Sequence, residues 1–509
     1  MAQLTGSSQA ISLGESGYAI KAPGIRGDAA LARPRSAADR ARSRTATDGT
    51  DALDSALAAA HVTEIRQVEL RLTPQSPSGA AAALRSASGQ AQVELQVPDL
   101  GPDTGQLVLA CDENGVLTWH LPVKDQLGVQ SPTSRGAGGV KRFFIPVIPS
   151  SQGPAAPADG TQRSLLGVVG RKLLKVLVYP VLDPVVGAVG EFFAERWETH
   201  ARPYGLRTFT PDNRRTSGAG ALQAVDWDRL CAGRALLFVH GTFSTAHGAF
   251  SAFPDAVFDE LYRRYDGRVL AFNHFTLSHD PRRNVEWLLE QVPTGHALEV
   301  DIVCHSRGGL VARTLAERPA GFGLVQARIG VRRVVFVAAP NQGTPLADPD
   351  HIVDMLDRFT TVLNMFPCGA LAETLESIIT VVKVIAHGAL TGLDGLASMR
   401  PLGEFIRTLN QGASSGTGYY AVSADFEPTN EGLRALLAGT VADAVLDRVF
   451  EAVHNDLVVP EPGVYDANGN AAFPIPAERL LRIPSGAGVV HTTVFGHAPA
   501  IAKVAEWLA

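Results

Sequence analysis

Hydrophobic positions change their period twice along the chain. From residue 65 the period is two: Val68, Leu70 and Leu72 alternate with Glu69 and Arg71, and Val93, Leu95 and Val97 with Glu94 and Gln96. Alternation of this kind marks strands with one face in a core. Asn114-Gly115 stands between the apolar runs 107–110 and 116–123, and this dipeptide is a strong hairpin signal. A further strand is expected over 140–147. Residues 62–148 thus read as a small antiparallel β domain, with a packing or interaction role and no chemical motif.

Residues 1–61 are rich in Ala, Gly, Ser, Arg and Asp and show little periodicity. They are expected to be disordered or weakly ordered, with a helix as the alternative over 37–60. Residues 149–204 read as a linker and a helical connector. A Pro/Ala/Gly stretch at 150–160 opens it, and a Leu/Val-dense run at 165–178 follows. Val186, Val189, Phe193 and Trp197 then recur at helical spacing. A membrane-surface helix is one reading of this part. Asp183, Pro180 and Pro184 interrupt the apolar run and favour a connector docked on the next domain.

From residue 205 to 509, short apolar runs alternate with helical patterns, which predicts a mostly parallel α/β sheet. Strands are expected at 235–239, 268–272, 298–303, 331–338, 419–424 and 479–483. Helices are expected at 253–265, 283–291, 307–317 and 498–508. In such sheets ligands bind at the carboxyl ends of the strands.

Composition narrows the function. The 509 residues are 45% hydrophobic, enough for globular cores, and the formal net charge of −6 implies no nucleic-acid partner. Four cysteines (111, 231, 304 and 368) are scattered and form neither a metal cluster nor a disulfide framework. Residues 1–20 lack a secretory pattern, and no run of about 20 apolar residues exists, so a cytoplasmic location is expected.

The chemistry centres on Asp301-Ile302-Val303-Cys304-His305-Ser306-Arg307-Gly308-Gly309. An apolar strand runs into a serine flanked by small residues, and a helix pattern follows. This is the pattern of a nucleophile elbow, in which a strained strand-to-helix turn lifts the hydroxyl clear of the sheet. Cys304 stands where glycine is usual. A plain helix N-cap at Ser306 is the competing reading. A serine nucleophile needs a base, an acid that orients the base, and donors for the oxyanion. The strand exit Val239-His240-Gly241-Thr242 can present the Thr242 N–H, and the Arg307 N–H follows the serine directly. His491 lies in a loop between the last strand and the C-terminal helix, with His497 as its rival at the helix start. The acid is Asp456 or Asp425, the latter at the end of the 419–424 strand.

Residues from about 230 to 509 resemble the lipase branch of the α/β-hydrolase superfamily. The resemblance rests on Val239-His240-Gly241-Thr242, on His305-Ser306-Arg307-Gly308-Gly309, on Ala339-Pro340-Asn341-Gln342-Gly343-Thr344-Pro345-Leu346-Ala347-Asp348, on Asn455-Asp456-Leu457-Val458-Val459-Pro460 and on His491. It implies an α/β-hydrolase fold: a mostly parallel sheet, helices on both faces and a helical cap. It also implies the catalytic set Ser306, Asp456 and His491, with the Thr242 and Arg307 N–H groups as oxyanion hole and no metal or organic cofactor. Ile352, Met355, Leu356, Phe359, Val362 and Leu363 fall at helical spacing, as do Leu371, Leu375, Ile378, Val382 and Ile385. Two amphipathic helices in an insertion over about 348–415 suggest a lid with an apolar face toward an acyl chain. A second helical insert is expected at 431–452.

The expected activity is hydrolysis of carboxylic esters, lipase- or esterase-like, through an acyl-enzyme. Two alternatives stay open: an acyltransferase using the same triad, and an inactive hydrolase fold that binds through the β domain. A small-molecule or lipid ester is the expected substrate, with contact to a lipid interface. The β domain has no assigned protein partner.

Overall fold

The computed structural model describes residues 1–33, 49–72, 92–101, 103–112, 115–123, 139–146, 172–180, 182–183, 187–188, 193–324, 328–367, 369–386, 392–412, 416–427, 453–467 and 469–509. The 150–160 linker and the 431–452 insert lie outside these residues.

Ten strands of the N-terminal part form two antiparallel sheets. They are β1 (Ala2–Thr5), β2 (Ile11–Ser12), β3 (Ala19–Lys21), β4 (Arg26–Ala32), β5 (Thr63–Leu72), β6 (Gln92–Pro98), β7 (Thr104–Cys111), β8 (Leu117–His120), β9 (Val140–Pro146) and β10 (Lys172–Pro180). One sheet runs β1-β4-β5-β10-β7-β8 and the other β2-β3-β6-β9. Their shared core holds Leu4, Ile20, Ile25 and Ala29 together with Val68, Leu70, Val93, Leu95, Val97 and Phe143.

Two sequence expectations are corrected here. The first 61 residues are not weakly ordered throughout, because β1 to β4 lie within them and bury their apolar positions. β1 to β3 are two to four residues long, too short to show a period, and β4 has no apolar alternation and is set by its pairing with β5. The run at 165–178 is not a helical connector, because β10 occupies its second half between β5 and β7. A continuous apolar run carries no periodicity that separates a buried strand from a buried helix. The β unit therefore gathers strands from residue 2 to residue 180 and is larger than 62–148. Helical spacing does hold at Phe193–Ala201, the connector helix, with Phe193, Ala194, Trp197 and Glu198 buried.

A two-residue ladder of β11 (Leu182–Asp183) and β12 (Gly187–Ala188) precedes the second domain. Its sheet has seven strands: β13 (Gly205–Thr208), β14 (Ala235–Val239), β15 (Val269–Asn273), β16 (Leu298–His305), β17 (Ile329–Val337), β18 (Gly418–Ala424) and β19 (Leu480–Ile483). The order is β13-β15-β14-β16-β17-β18-β19. Only β13 is antiparallel to its neighbour. β14 is apolar along its whole length, as are residues 302–304 of β16 and 334–337 of β17, because helices cover both faces. The expected helices appear as Asp255–Arg264, Pro281–Gln291, Gly308–Glu317 and Ala498–Trp507. No helix among the described residues is long and apolar enough to cross a membrane.

The insertion between β17 and β18 supplies two cap helices, Ile352–Met365 and Leu371–Ala386. Both of their faces are covered. Val362 of the first packs with Phe426, Leu457 and Val490 at the carboxyl edge of the sheet. The opposite side meets β8, the edge strand of the β domain. Edge strands leave alternate N–H and C=O groups unpaired, and here side chains of the helix take them. The Leu117 N–H donates to Thr361 Oγ1 at 3.0 Å, and Thr361 Oγ1 donates to the Leu117 carbonyl at 3.0 Å. The Trp119 N–H donates to Asp357 Oδ1 at 2.7 Å, and Trp119 Nε1 donates to Thr360 Oγ1 at 2.9 Å. Asn364 Nδ2 donates to the Gly115 carbonyl at 2.7 Å. Lys383 of the second cap helix donates to the Ala60 carbonyl at 2.8 Å, beyond the N-terminal helix Gly49–Ala59.

Candidate active site

β16 ends at His305, and Ser306 follows with φ +51°. A non-glycine residue in this region costs about 1–3 kcal/mol and persists only where its surroundings enforce it. Close packing enforces it here. A Cβ on Gly308 would stand 2.4 Å from the Val239 carbonyl oxygen and 2.6 Å from that of His240. A Cβ on Gly241 would stand 2.6 Å from Ser306 Cβ. The elbow is therefore wedged against the exit of β14, and glycine on both sides lets the backbones approach. Ser306 is no ordinary N-cap, because Arg307 holds the cap position of the Gly308–Glu317 helix without a side-chain cap bond. Cys304 fits the remaining space, fully buried with its Sγ 3.4 Å from the Val335 carbonyl oxygen. Burial raises its thiol pKa, which leaves it an inert packing group.

The structure brings Asp456 and His491 together and keeps Asp425 apart. Asp456 Oδ2 lies 2.7 Å from His491 Nδ1, and the His491 N–H donates to the Asp456 carbonyl at 3.0 Å. Asp456 Oδ1 accepts the Val458 and Val459 N–H groups at 3.0 and 2.8 Å. Each side chain of the pair is 1% exposed. Asp425 faces outward and pairs with His454 at 2.8 Å, a histidine that is 69% exposed. The chain leaves the sheet after β18 and returns with Asn455, whose carbonyl accepts the Phe426 N–H at 2.8 Å. His497 caps the C-terminal helix at residue 498 and does not join the pair.

His491 Nε2 is buried with no hydrogen-bond partner among the described residues. The residue before Ser306 touches the same loop, with His305 Nε2 3.0 Å from the His491 carbonyl oxygen. Burial pushes the His305 ring down to about 3, so the ring is neutral. A carbonyl can only accept, which fixes the Nε2–H tautomer of His305. Serine to histidine contacts are often loose without substrate and tighten on binding. Thr242 and Arg307 flank the serine, and neither backbone N–H has an acceptor among the described residues. The 339–348 segment braces the acid loop, since Thr344 Oγ1 donates to the Val458 carbonyl at 2.8 Å.

The sequence assigns no role to His305 or Glu198 and places Phe359 only on the apolar face of a lid helix. His305 ties the histidine loop to the elbow. Phe359 of the first cap helix packs edge-on against Phe243 of the β14 exit loop and against His491, at 5.0 and 5.9 Å between ring centres. Glu198, from the connector helix, is buried behind the β15 exit loop. Helical spacing pointed to Phe359 as a cap residue, but nothing local marked its target. Ser306 is 3% exposed.

The strand order and the strained serine at the β16 turn are those of an α/β-hydrolase fold. The profile of a family described as a domain of unknown function, DUF7379, matches residues 201–509, and the chain belongs to that family. No curated protein sequence matches the chain. Among solved structures, a mature-form lipase of Bacillus licheniformis is 17% identical, with 53% of this chain and 91% of that one covered and a TM-score of 0.29. Lipase 1 of Pelosinus fermentans is 13% identical, with 54% and 98% covered and a TM-score of 0.33. A metagenomic carboxyl esterase is 17% identical, with 55% and 77% covered and a TM-score of 0.30.

Proposed function

We propose that the protein is a serine hydrolase of carboxylic esters. The observation that carries this reading is the buried Asp456–His491 pair, whose loop is held against the strained elbow by the His305 contact with the His491 carbonyl. Ser306 Oγ attacks the ester carbonyl while His491 Nε2 takes its proton. Asp456 holds His491 with Nδ1 protonated and Nε2 free to accept, and it stabilises the imidazolium that forms. The oxyanion receives the Thr242 and Arg307 N–H groups. His491 then gives its proton to the departing alcohol, leaving an acyl-serine. Water enters, loses a proton to His491 and releases the acid by the same steps in reverse. A panel of p-nitrophenyl esters from acetate to palmitate tests the activity. Saturable turnover of at least one member is the expected result, and no turnover of any member by folded protein counts against it.

The same reading makes the cap a lid. Phe359 packs on His491 and Phe243, and Ser306 is buried, so the first cap helix must shift for an ester to enter. Apolar side chains freed by that shift would face the acyl chain, which favours medium or long chains and a response to detergent or lipid. Acetate preference with no such response would remove the lid from this account.

The β domain holds the lid shut in this reading. Each hydrogen bond from β8 to the helix is worth about 1 kcal/mol net, and about 1.4 kcal/mol is a factor of ten in population. Thr361→Val keeps the shape and removes two of these bonds. It is expected to raise kcat/KM for a soluble short ester, without detergent, by about three- to tenfold. An unchanged rate in a folded variant would mean that β8 does not restrain the lid.

A further inference from the structure

The pocket behind the candidate oxyanion donors is organised by a residue that the sequence gave no reason to single out. Glu198 belongs to the connector helix, ahead of the 201–509 family segment. It is 1% exposed. Its Oε1 accepts the N–H groups of Thr276 and Leu277 at 2.5 and 2.9 Å. Its Oε2 accepts the N–H and the hydroxyl of Ser278 at 2.9 and 2.6 Å. Three consecutive amides and a hydroxyl thus converge on one side chain. All four are donors, and an ionised carboxylate is acceptor-only, so the match of groups is complete. Burial alone raises the pKa of this carboxyl, and the four donors oppose that rise.

The loop that Glu198 gathers supports both oxyanion donors. Arg307 is fully buried, and its guanidinium rests on the carbonyls of Phe275, His279 and Gly395 and on Asn284 Oδ1. Gly395 is itself tied to the loop, since its N–H donates to the Leu277 carbonyl at 2.9 Å. At the near end of the loop His274 stacks on His240, with ring centres 4.2 Å apart and planes 7° from parallel. The His274 N–H donates to His240 Nε2 at 3.2 Å. With Nε2 accepting, neutral His240 carries its proton on Nδ1, which lies 2.9 Å from the Gly241 carbonyl oxygen. A trans peptide is planar, with its C=O and N–H pointing opposite ways. Pinning the Gly241 carbonyl toward His240 therefore fixes the Thr242 N–H on the other side.

We infer that Glu198 is a positioning residue for the oxyanion hole: through loop 274–279 it sets the direction of the Thr242 and Arg307 N–H groups. The inference rests on the serine-hydrolase reading. It also gives the connector helix a part in catalysis that lies outside the family segment.

Glu198→Gln tests it, because glutamine keeps the shape and turns one acceptor oxygen into a donor facing donors. Removing an oxyanion donor outright costs about 10²–10³ in kcat, so misdirecting the pair is expected to cost about 10- to 100-fold. Active sites are first counted with a fluorophosphonate, and kcat is expressed per counted site. The expected result is this loss in kcat, KM within about threefold, and weaker inhibition by an alkyl boronic acid by the same factor as kcat/KM. The boronate adduct places an oxygen in the oxyanion hole, so a merely structural role would not move its inhibition constant per active site. Ser278→Ala removes one of the four bonds and serves if the glutamine variant does not fold, with about a two- to fivefold loss on the same measures. Fewer active sites with unchanged kcat and boronate inhibition per site would overturn the positioning role. A wild-type protein that turns over no ester and takes no fluorophosphonate would instead overturn the hydrolase reading beneath it.

Discussion

Asp456→Asn is expected to lower kcat by about 10⁴, while Asp425→Asn leaves turnover within a few-fold of wild type. The two carboxylates sit in opposite settings. Asp456 is buried, and its Oδ2 faces His491 Nδ1 at 2.7 Å. Asparagine keeps the Oδ1 bonds to Val458 and Val459, so the loop holds its shape. Its amide would present a donor to His491 Nδ1. The histidine would then accept at Nδ1 and carry its proton on Nε2, where it cannot take one from the serine. Asp425 pairs with exposed His454, and a surface pair of this kind is worth about 0–1 kcal/mol. Steady-state kinetics on both folded variants at neutral pH decides between them. The reverse ranking would move the acid to Asp425 and reduce the Asp456 contact to a loop bond.

Ser306→Ala is expected to cut ester hydrolysis by roughly four orders of magnitude or more. The hydroxyl has no hydrogen bond among the described residues, so little folding energy goes with it. Alanine keeps the Cβ that packs against Gly241, and circular dichroism should show the wild-type fold. Near-native turnover in this variant would place the chemistry elsewhere.

Much of the second domain was legible because its signals are local. β14, β16 and β17 are apolar runs bounded by helical patterns, and Ser306 with Gly308 carries the elbow in its immediate neighbours. The antiparallel edge strand β13 went unread, since four residues with half-buried ends show no period. β1, β3, β4 and β10 are illegible for a related reason: they pair with strands tens of residues away. The choice between Asp425 and Asp456 was a question of where the chain returns after an excursion, and periodicity does not report that. Phe359 and Glu198 act on groups far along the chain, so their neighbours in sequence say nothing of their targets. The contacts of Asp357, Thr360 and Thr361 with β8 belong to the same class, polar positions on an amphipathic helix whose partner is a strand more than 200 residues earlier.

An activated nucleophile at Ser306 can be captured covalently. The purified protein would be treated with a fluorophosphonate, with and without detergent to open the cap, then digested and mapped by mass spectrometry. One adduct per chain is expected, on Ser306, forming faster with detergent and absent from Ser306→Ala. An adduct on another residue, or folded protein that stays unlabelled under both conditions, would contradict it.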